Sequence, residues 1–298
     1  MGRIGVVCFF LISGFVIPFS FGSGSAPIKT FVIRRLFRLY PAYWFSIAGV
    51  VLLGGILFDQ TPDITTILAN ITMLQQFVGM PHVQGLYWTL TLEFAFYVIC
   101  VFLYWGGGLF NPRVLTGIVL AVAIIFGATQ LLTRVVPALE NTDREFIYLI
   151  LCMGFMFLGA LLRQYYDQPS PQIKKLCWLA AVSLLIFPLA SLVAYGLKDI
   201  DLRFLRFGAS YTLAFVVFMT GLYFIKLRSP ILVWLGAISY SVYLFHYLAI
   251  MCVSWGLKAS WGLDLGNGHI SVYMAAVFMI TIVIAHCVHH WVELPAVA

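Results

Sequence analysis

Glu93 is the one acid well inside an apolar run of this chain, in the stretch Trp88-Thr89-Leu90-Thr91-Leu92-Glu93-Phe94-Ala95-Phe96-Tyr97. A carboxylate so placed costs at least about 2.5 kcal/mol on insertion scales unless a cavity or a partner receives it. That makes Glu93 the first candidate for proton-transfer chemistry. Trp88, at the start of the stretch, serves either binding or an interfacial aromatic belt. The second candidate is His246, at the end of Gly236-Ala237-Ile238-Ser239-Tyr240-Ser241-Val242-Tyr243-Leu244-Phe245-His246. Ser239, Tyr243 and His246 stand at i, i+4 and i+7 and so share one helix face. An imidazole there is either a general base or a hydrogen-bonded packing residue.

A basic cluster supplies the third feature: Arg34, Arg35 and Arg38, followed by Leu39-Tyr40-Pro41-Ala42-Tyr43-Trp44. On a helix Arg34 and Arg38 share a face while Arg35 points about 100° away. Guanidinium groups in this arrangement either clamp a phosphorylated ligand bidentately or anchor the chain to lipid headgroups. Twenty residues earlier, Gly5, Ser13 and Gly14 give an apolar run a small-residue face. At the other end His286, His289, His290 and Glu293 fall at helical spacing. Such spacing can bind a metal, but a helix C-terminus at an interface favours histidines without one, and no metal site is expected.

These groups must be positioned by elements that live in lipid. Hydrophobic residues make up 62% of the 298 and charged ones only 9%, against roughly 25% charged in soluble domains. Too little charge is present to cover a water-soluble globule, which excludes a soluble enzyme, a disordered chain and a nucleic-acid module. Nine apolar runs approach the roughly 20 residues that span a bilayer, at about 4–22, 39–58, 85–105, 114–133, 146–162, 176–196, 209–225, 231–256 and 271–291. None alternates as a barrel strand does, so all are read as helices of an all-α, polytopic transmembrane bundle. The six cysteines lie in or beside these runs without a C-x-x-C pair and read as small hydrophobes. No repeat or linker interrupts residues 1–298, which are expected to form one transmembrane domain.

Lys and Arg set the expected orientation. Loops after odd-numbered segments hold ten of them and one acid, Asp167; loops after even-numbered segments hold six with eight acids. Odd loops, and with them the C-terminus, are therefore expected in the cytoplasm, and His82 and His269 in outer loops. This count starts the first segment outside, and a further helix ahead of Met1 would restore a conventional cytoplasmic start.

Together the stretches resemble the acyltransferase-3 family of integral membrane O-acyltransferases. The family's G-V-D-x-F-F-x-x-S-G-F, R-R-x-x-R-x-x-P-x-Y-W, W-S-L-x-x-E-x-x-F-Y, S-Y-S-x-Y-L-x-H and E-x-P patterns find counterparts here in order from Gly5 to Pro295. Each is short; their order over nearly the whole chain carries the resemblance. It implies a ten-helix domain, nine helices of which are present, that moves an acyl group from acyl-CoA, most simply acetyl-CoA, to a hydroxyl of a surface glycan or lipid-linked sugar. By that analogy Arg34, Arg35 and Arg38 hold the CoA phosphates, with Tyr40 and Trp88 among the donor-binding residues. Ser13 and Gly14 line the passage of the acyl or pantetheine arm, and Glu93 and His246 serve the transfer centre. The family's first helix, with an arginine and a histidine eleven residues on, has no counterpart, and Val7 replaces the aspartate of the first pattern. The expected setting is a multi-pass protein of a bacterial inner or plasma membrane, with membrane lipid but no nucleic acid as partner. The competing readings are a proton-coupled transporter or flippase, which would show helices broken in related halves, and an inactive truncated acyltransferase.

Overall fold

Pro27, Pro112, Pro171 and Pro230 each open a helix, at the position where a missing N–H is harmless and the fixed φ already suits the first turn. The computed structural model describes residues 2–22, 24–135, 144–197, 202–225, 229–261 and 270–297. His269, Lys198, Lys226 and Arg228, which entered the orientation reading, lie outside them. In chain order the helices are α1 (Gly2–Val16), α2 (Pro27–Phe58), α3 (Ile64–Ile71), α4 (Trp88–Trp105), α5 (Pro112–Val135), α6 (Arg144–Asp167), α7 (Pro171–Leu197), α8 (Leu202–Tyr223), α9 (Pro230–Trp261), α10 (Ile270–Val288) and α11 (Leu294–Val297). Short 3-10 turns follow α1 and precede α4, and a π-helical turn, His289–Glu293, joins α10 to α11. No strand occurs among the described residues, and nine of the helical segments there are long and apolar enough to cross a membrane. The chain is a multi-pass all-α membrane protein.

The helices gather into two compact units, one from residues 1–21 and 92–226, the other from 22–91 and 227–298. In the first unit α6 is the central helix, packed on by α1, α5 and α7, with Phe155, Met156, Phe157, Leu158, Ala160 and Leu161 all buried. Glycine lets α1 and α6 touch backbone to backbone. A Cβ on Gly14 would overlap the Met156 carbonyl oxygen, and one on Gly159 would overlap that of Leu11. Small residues at a membrane helix crossing gain close packing and lose nothing to lipid, which is as apolar as the side chains it would replace. None of the six cysteines is disulfide-bonded.

In the second unit α2 and α9 run alongside one another in parallel. The Tyr240 hydroxyl donates to the Leu39 carbonyl at 2.8 Å and Ser46 Oγ to the Leu244 carbonyl at 3.3 Å. The antiparallel α10 covers α9, with Val277 buried against Ala249 and Val253. Two expectations need correction here. Helix α2 begins at Pro27, not at 39, so Arg34, Arg35 and Arg38 lie within its early turns: hydropathy marks a span from the last charge, whereas arginine is itself a good helix former. Residues 59–84 are also not a simple outer loop. They turn at Asp59, which takes the left-handed φ of 53° that ends α2, and run back along α2.

That return is held by three aromatic donors. Tyr43 donates to the carbonyl of Asn70 at 2.7 Å, Trp44 Nε1 to that of Ile71 at 3.0 Å, and Tyr40 to that of Thr72 at 2.9 Å. These are the carbonyls that the end of a helix leaves without intrahelical partners. At 1.5 Å per residue, Tyr40–Trp44 lie roughly 21–27 Å back along α2 from Phe58, so α3 ends at membrane depth. Its faces are reversed relative to a helix in water: Ile64 and Leu68 are exposed while Thr66 and Asn70 are buried. Irregular backbone at such depth survives where protein satisfies it. The segment is re-entrant.

Candidate active site

Within the second unit, polar side chains converge where the re-entrant segment, the start of α4 and α9 meet. The Thr89 and Tyr243 hydroxyls lie 2.6 Å apart and 3.1 and 2.8 Å from the Leu86 carbonyl, so their two protons serve two of these three contacts. Tyr87 bonds Ser46 at 2.8 Å and lies edge-on to Tyr43. One turn beyond Tyr243, His246 Nδ1 donates to the Tyr243 carbonyl at 2.7 Å. A ring held by its Nδ1–H leaves Nε2, in the neutral imidazole, as a proton acceptor. His246 is only partly buried.

The arginines belong to the same unit. Arg34 and Arg38 are exposed and Arg35 lies over the Phe31 ring at 5.6 Å. Since Phe45 packs on Phe245 and Ser46 meets the Leu244 carbonyl, His246 lies eight to ten residues along the helix pair from the level of Arg38, roughly 12–15 Å of helix rise. The cluster and the imidazole are thus successive stations along one pair of parallel helices. Tyr40, expected to bind the donor, spends its hydroxyl on the Thr72 carbonyl, and its ring packs against Tyr43 and Trp44. Trp88 is the first residue of α4.

A second polar chain starts on α9 at Ser241, two residues before Tyr243. Glu293 is buried in the π-helical turn; it accepts from Ser241 Oγ at 2.5 Å on one carboxylate oxygen and pairs with His289 Nδ1 at 2.6 Å on the other. A π turn places one extra residue in the helix, which swings these side chains onto a new face and often marks a functional position. The E-x-P and S-Y-S stretches of the sequence are therefore one contact. His286 instead lies beside His290 and Trp234, and among the described residues no three His, Cys, Asp or Glu side chains gather to hold a metal.

Glu93 belongs to the first unit. It is 6% exposed, and its Oε1 accepts from the Tyr97 hydroxyl at 2.5 Å, one helical turn along α4. A hydrogen-bond donor within reach is what makes an intramembrane carboxylate tolerable at depth. Ser13 is buried in α1, and the neighbouring Gly14 is accounted for by its closeness to α6.

Sequence reasoning missed the re-entrant polar residues altogether. Asn70 donates to the carbonyls of Thr66 and Pro81 and accepts from the Val83 N–H. Gln75 Nε2 donates to His82 Nδ1 at 2.8 Å and to Thr91 Oγ1 at 3.3 Å. His82, expected in an outer loop, is thus tied to a buried amide. Met73, fully buried, takes a φ of 63°, a conformation rare for a residue with a side chain and common at functional turns. The available signal was the cluster of amides, Asn70, Gln75, Gln76 and Gln84, between two apolar spans.

Comparison with known proteins agrees with this architecture. The pattern of the acyltransferase domain family matches residues 1–291. The exopolysaccharide production protein ExoZ of Rhizobium meliloti (strain 1021) is 28% identical over 308 aligned positions, covering 95% of this chain and 86% of that protein. The acyltransferase MdmB of Streptomyces mycarofaciens is 30% identical over 112 positions, 33% of this chain and 27% of that protein. No solved structure matches.

Proposed function

The chain belongs to the acyltransferase-3 family, a membrane O-acyltransferase, and from that premise we propose that it takes its acyl group from acyl-CoA, most simply acetyl-CoA, and delivers it to a hydroxyl of a glycan or lipid-linked sugar. The observation that carries the reading is the 2.7 Å approach of His246 Nδ1 to the Tyr243 carbonyl, which can only accept and so assigns the ring proton to Nδ1. An alcohol is a poor nucleophile until a positioned base takes its proton, a contribution of roughly 10²–10⁴-fold in rate. In the proposed step the acceptor hydroxyl oxygen attacks the thioester carbonyl carbon and its proton passes to His246 Nε2. The carbon–sulfur bond then breaks, the CoA thiolate leaves, and it takes up the proton that the imidazole gives back. Ester and free CoA thiol are the products, with no covalent enzyme intermediate.

Arg34, Arg35 and Arg38 hold the donor's phosphates in this reading, since a guanidinium fork matches phosphate oxygens. Glu93 is the second proton-handling group, with Tyr97 orienting its carboxylate. Ser13 and Trp88 contribute to the donor's passage. Both units act as one acyltransferase domain in a plasma or inner membrane, with the odd loops and the C-terminus in the cytoplasm. The test is incorporation of label from radiolabelled acetyl-CoA into cell-envelope glycan by membranes carrying the chain. His246→Gln keeps a polar side chain of related reach but removes the base, so label is expected to fall at least ~100-fold; unreduced label excludes His246 from the step.

A further inference from the structure

Four buried side-chain atoms among the described residues make no hydrogen bond, and three of them lie in the re-entrant segment: Oε1 and Nε2 of Gln84 and Oε1 of Gln75. Gln84 is 2% exposed and Gln75 0%. Residues 81–83 run against Asn70 and Gln75 through the contacts at Pro81, His82 and Val83. Gln84 continues that run in extended backbone, and its own carbonyl accepts from the Tyr87 N–H at 3.0 Å. Two residues on, Leu86 is held by Tyr243, whose carbonyl orients His246. The unmet amide of Gln84 therefore stands two residues from the tie between this segment and the proposed base.

A buried polar group without a partner is costly, and native structures keep one where a ligand, an ordered water or an ion completes it. The unmet set here is two acceptors and one donor, all neutral. It calls for a ligand that both donates and accepts at neighbouring atoms, as vicinal hydroxyls do. Phosphate and thioester oxygens only accept, and an anion would meet two amide oxygens. We propose that Gln84 and Gln75 form a subsite for sugar hydroxyls that orients the acyl acceptor beside His246. This rests on the glycan-acceptor reading above and adds where and by which groups the sugar is recognised.

The full chain in lipid nanodiscs is to be probed by saturation-transfer NMR with the methyl glycosides of glucose, galactose and mannose, and CoA as competitor. Wild type is expected to transfer saturation to the ring protons of at least one glycoside, with CoA leaving it in place. Gln84→Met, of similar shape, is expected to weaken that binding at least about tenfold, the loss of one good hydrogen bond, while its melting temperature stays level or rises, because the unmet polar atoms are gone. Gln84→Asn, which keeps the amide on a shorter stem, is expected to bind less than wild type and more than Gln84→Met. A melting temperature that falls together with binding would make Gln84 a structural residue and overturn the proposal. So would unchanged binding in Gln84→Met, displacement by CoA alone, or no glycoside contact in wild type, which would leave water as the amides' partner. Label from acetyl-CoA, followed in parallel, separates the two claims. Glycoside binding without any labelled glycan in wild type removes the glycan-transfer reading and keeps the subsite, whereas undiminished label in Gln84→Met removes the subsite and keeps the reading.

Discussion

At the scale of single residues, Glu93 shows how a membrane-buried acid is made tolerable. Its carboxylate accepts a short bond from Tyr97 within one turn of α4, which repays part of the cost of taking it out of water. Glu93→Gln preserves size and some hydrogen bonding while removing the charge, and transfer should fall by roughly 10²–10⁴-fold if the carboxylate moves a proton. Insertion and folding, followed by melting temperature, should be retained. Activity equal to wild type would end that role. Tyr97→Phe should act more mildly: losing one hydrogen bond to a charged group costs about 1.5–3 kcal/mol, read as a loss of rate with little change in the KM for acetyl-CoA. The opposite pattern, a raised KM at constant rate, would move Tyr97 to the donor site. Glu93 was legible as a candidate from its setting, since an acid within an apolar run needs a reason to be there, whereas Glu293 entered only through the E-x-P pattern and a histidine cluster. The partner of Glu293 was not legible, because Ser241 and Glu293 are joined across 52 residues of chain.

At the scale of elements, two contacts test what holds the packing together. Gly14→Ala drives a methyl into the Met156 carbonyl oxygen, and backbone cannot yield as a flexible side chain does. Forced overpacking of this kind costs about 1–3 kcal/mol or more. A clear drop in melting temperature and folded yield is expected, and an unaffected Gly14→Ala protein would show that α1 and α6 are not held this closely. Trp44→Phe leaves the ring bulk but takes the donor from the Ile71 carbonyl. Loosening of the re-entrant segment should follow, seen as faster thiol labelling of a cysteine introduced at Thr72. Equal labelling rates would show that α3 is anchored otherwise. The span starts of most helices were readable in the sequence because proline and charge punctuate apolar runs. Helix α3 was not, since eight residues with one apolar face give no span-length signal.

At the scale of the whole molecule, the arginines and the topology make one prediction together. Replacing Arg34, Arg35 and Arg38 by Gln removes three positive charges from one helix end, so acetyl-CoA binding should weaken and lose salt dependence, because screening acts only on charge. Binding that is unmoved by the change, with insertion also intact, would leave the cluster no role with the donor. The same orientation argument places residues 106–111 and the C-terminus on the cytoplasmic side, which thiol labelling of single-cysteine variants from either face can check. Labelling of either site only from outside would reverse the positive-inside reading.

The amino-acid sequence by itself determined the class of this protein, because lipid as a solvent imposes rules that need no tertiary information. Apolar runs of span length must be helices, and the order of short motifs from Gly5 to Pro295 carries the family. Tertiary structure alone decided which groups the polar residues meet. Tyr40, Tyr43 and Trp44 sit in a motif beside the arginines, yet they cap the end of α3. Gln84 sits between two spans with nothing to distinguish it from a solvated loop residue, yet it is buried with its amide unmet. The physical reason is that burial in lipid follows from composition along the chain, whereas hydrogen-bond partners at membrane depth come from other helices, and which helices meet there is settled only by how they pack.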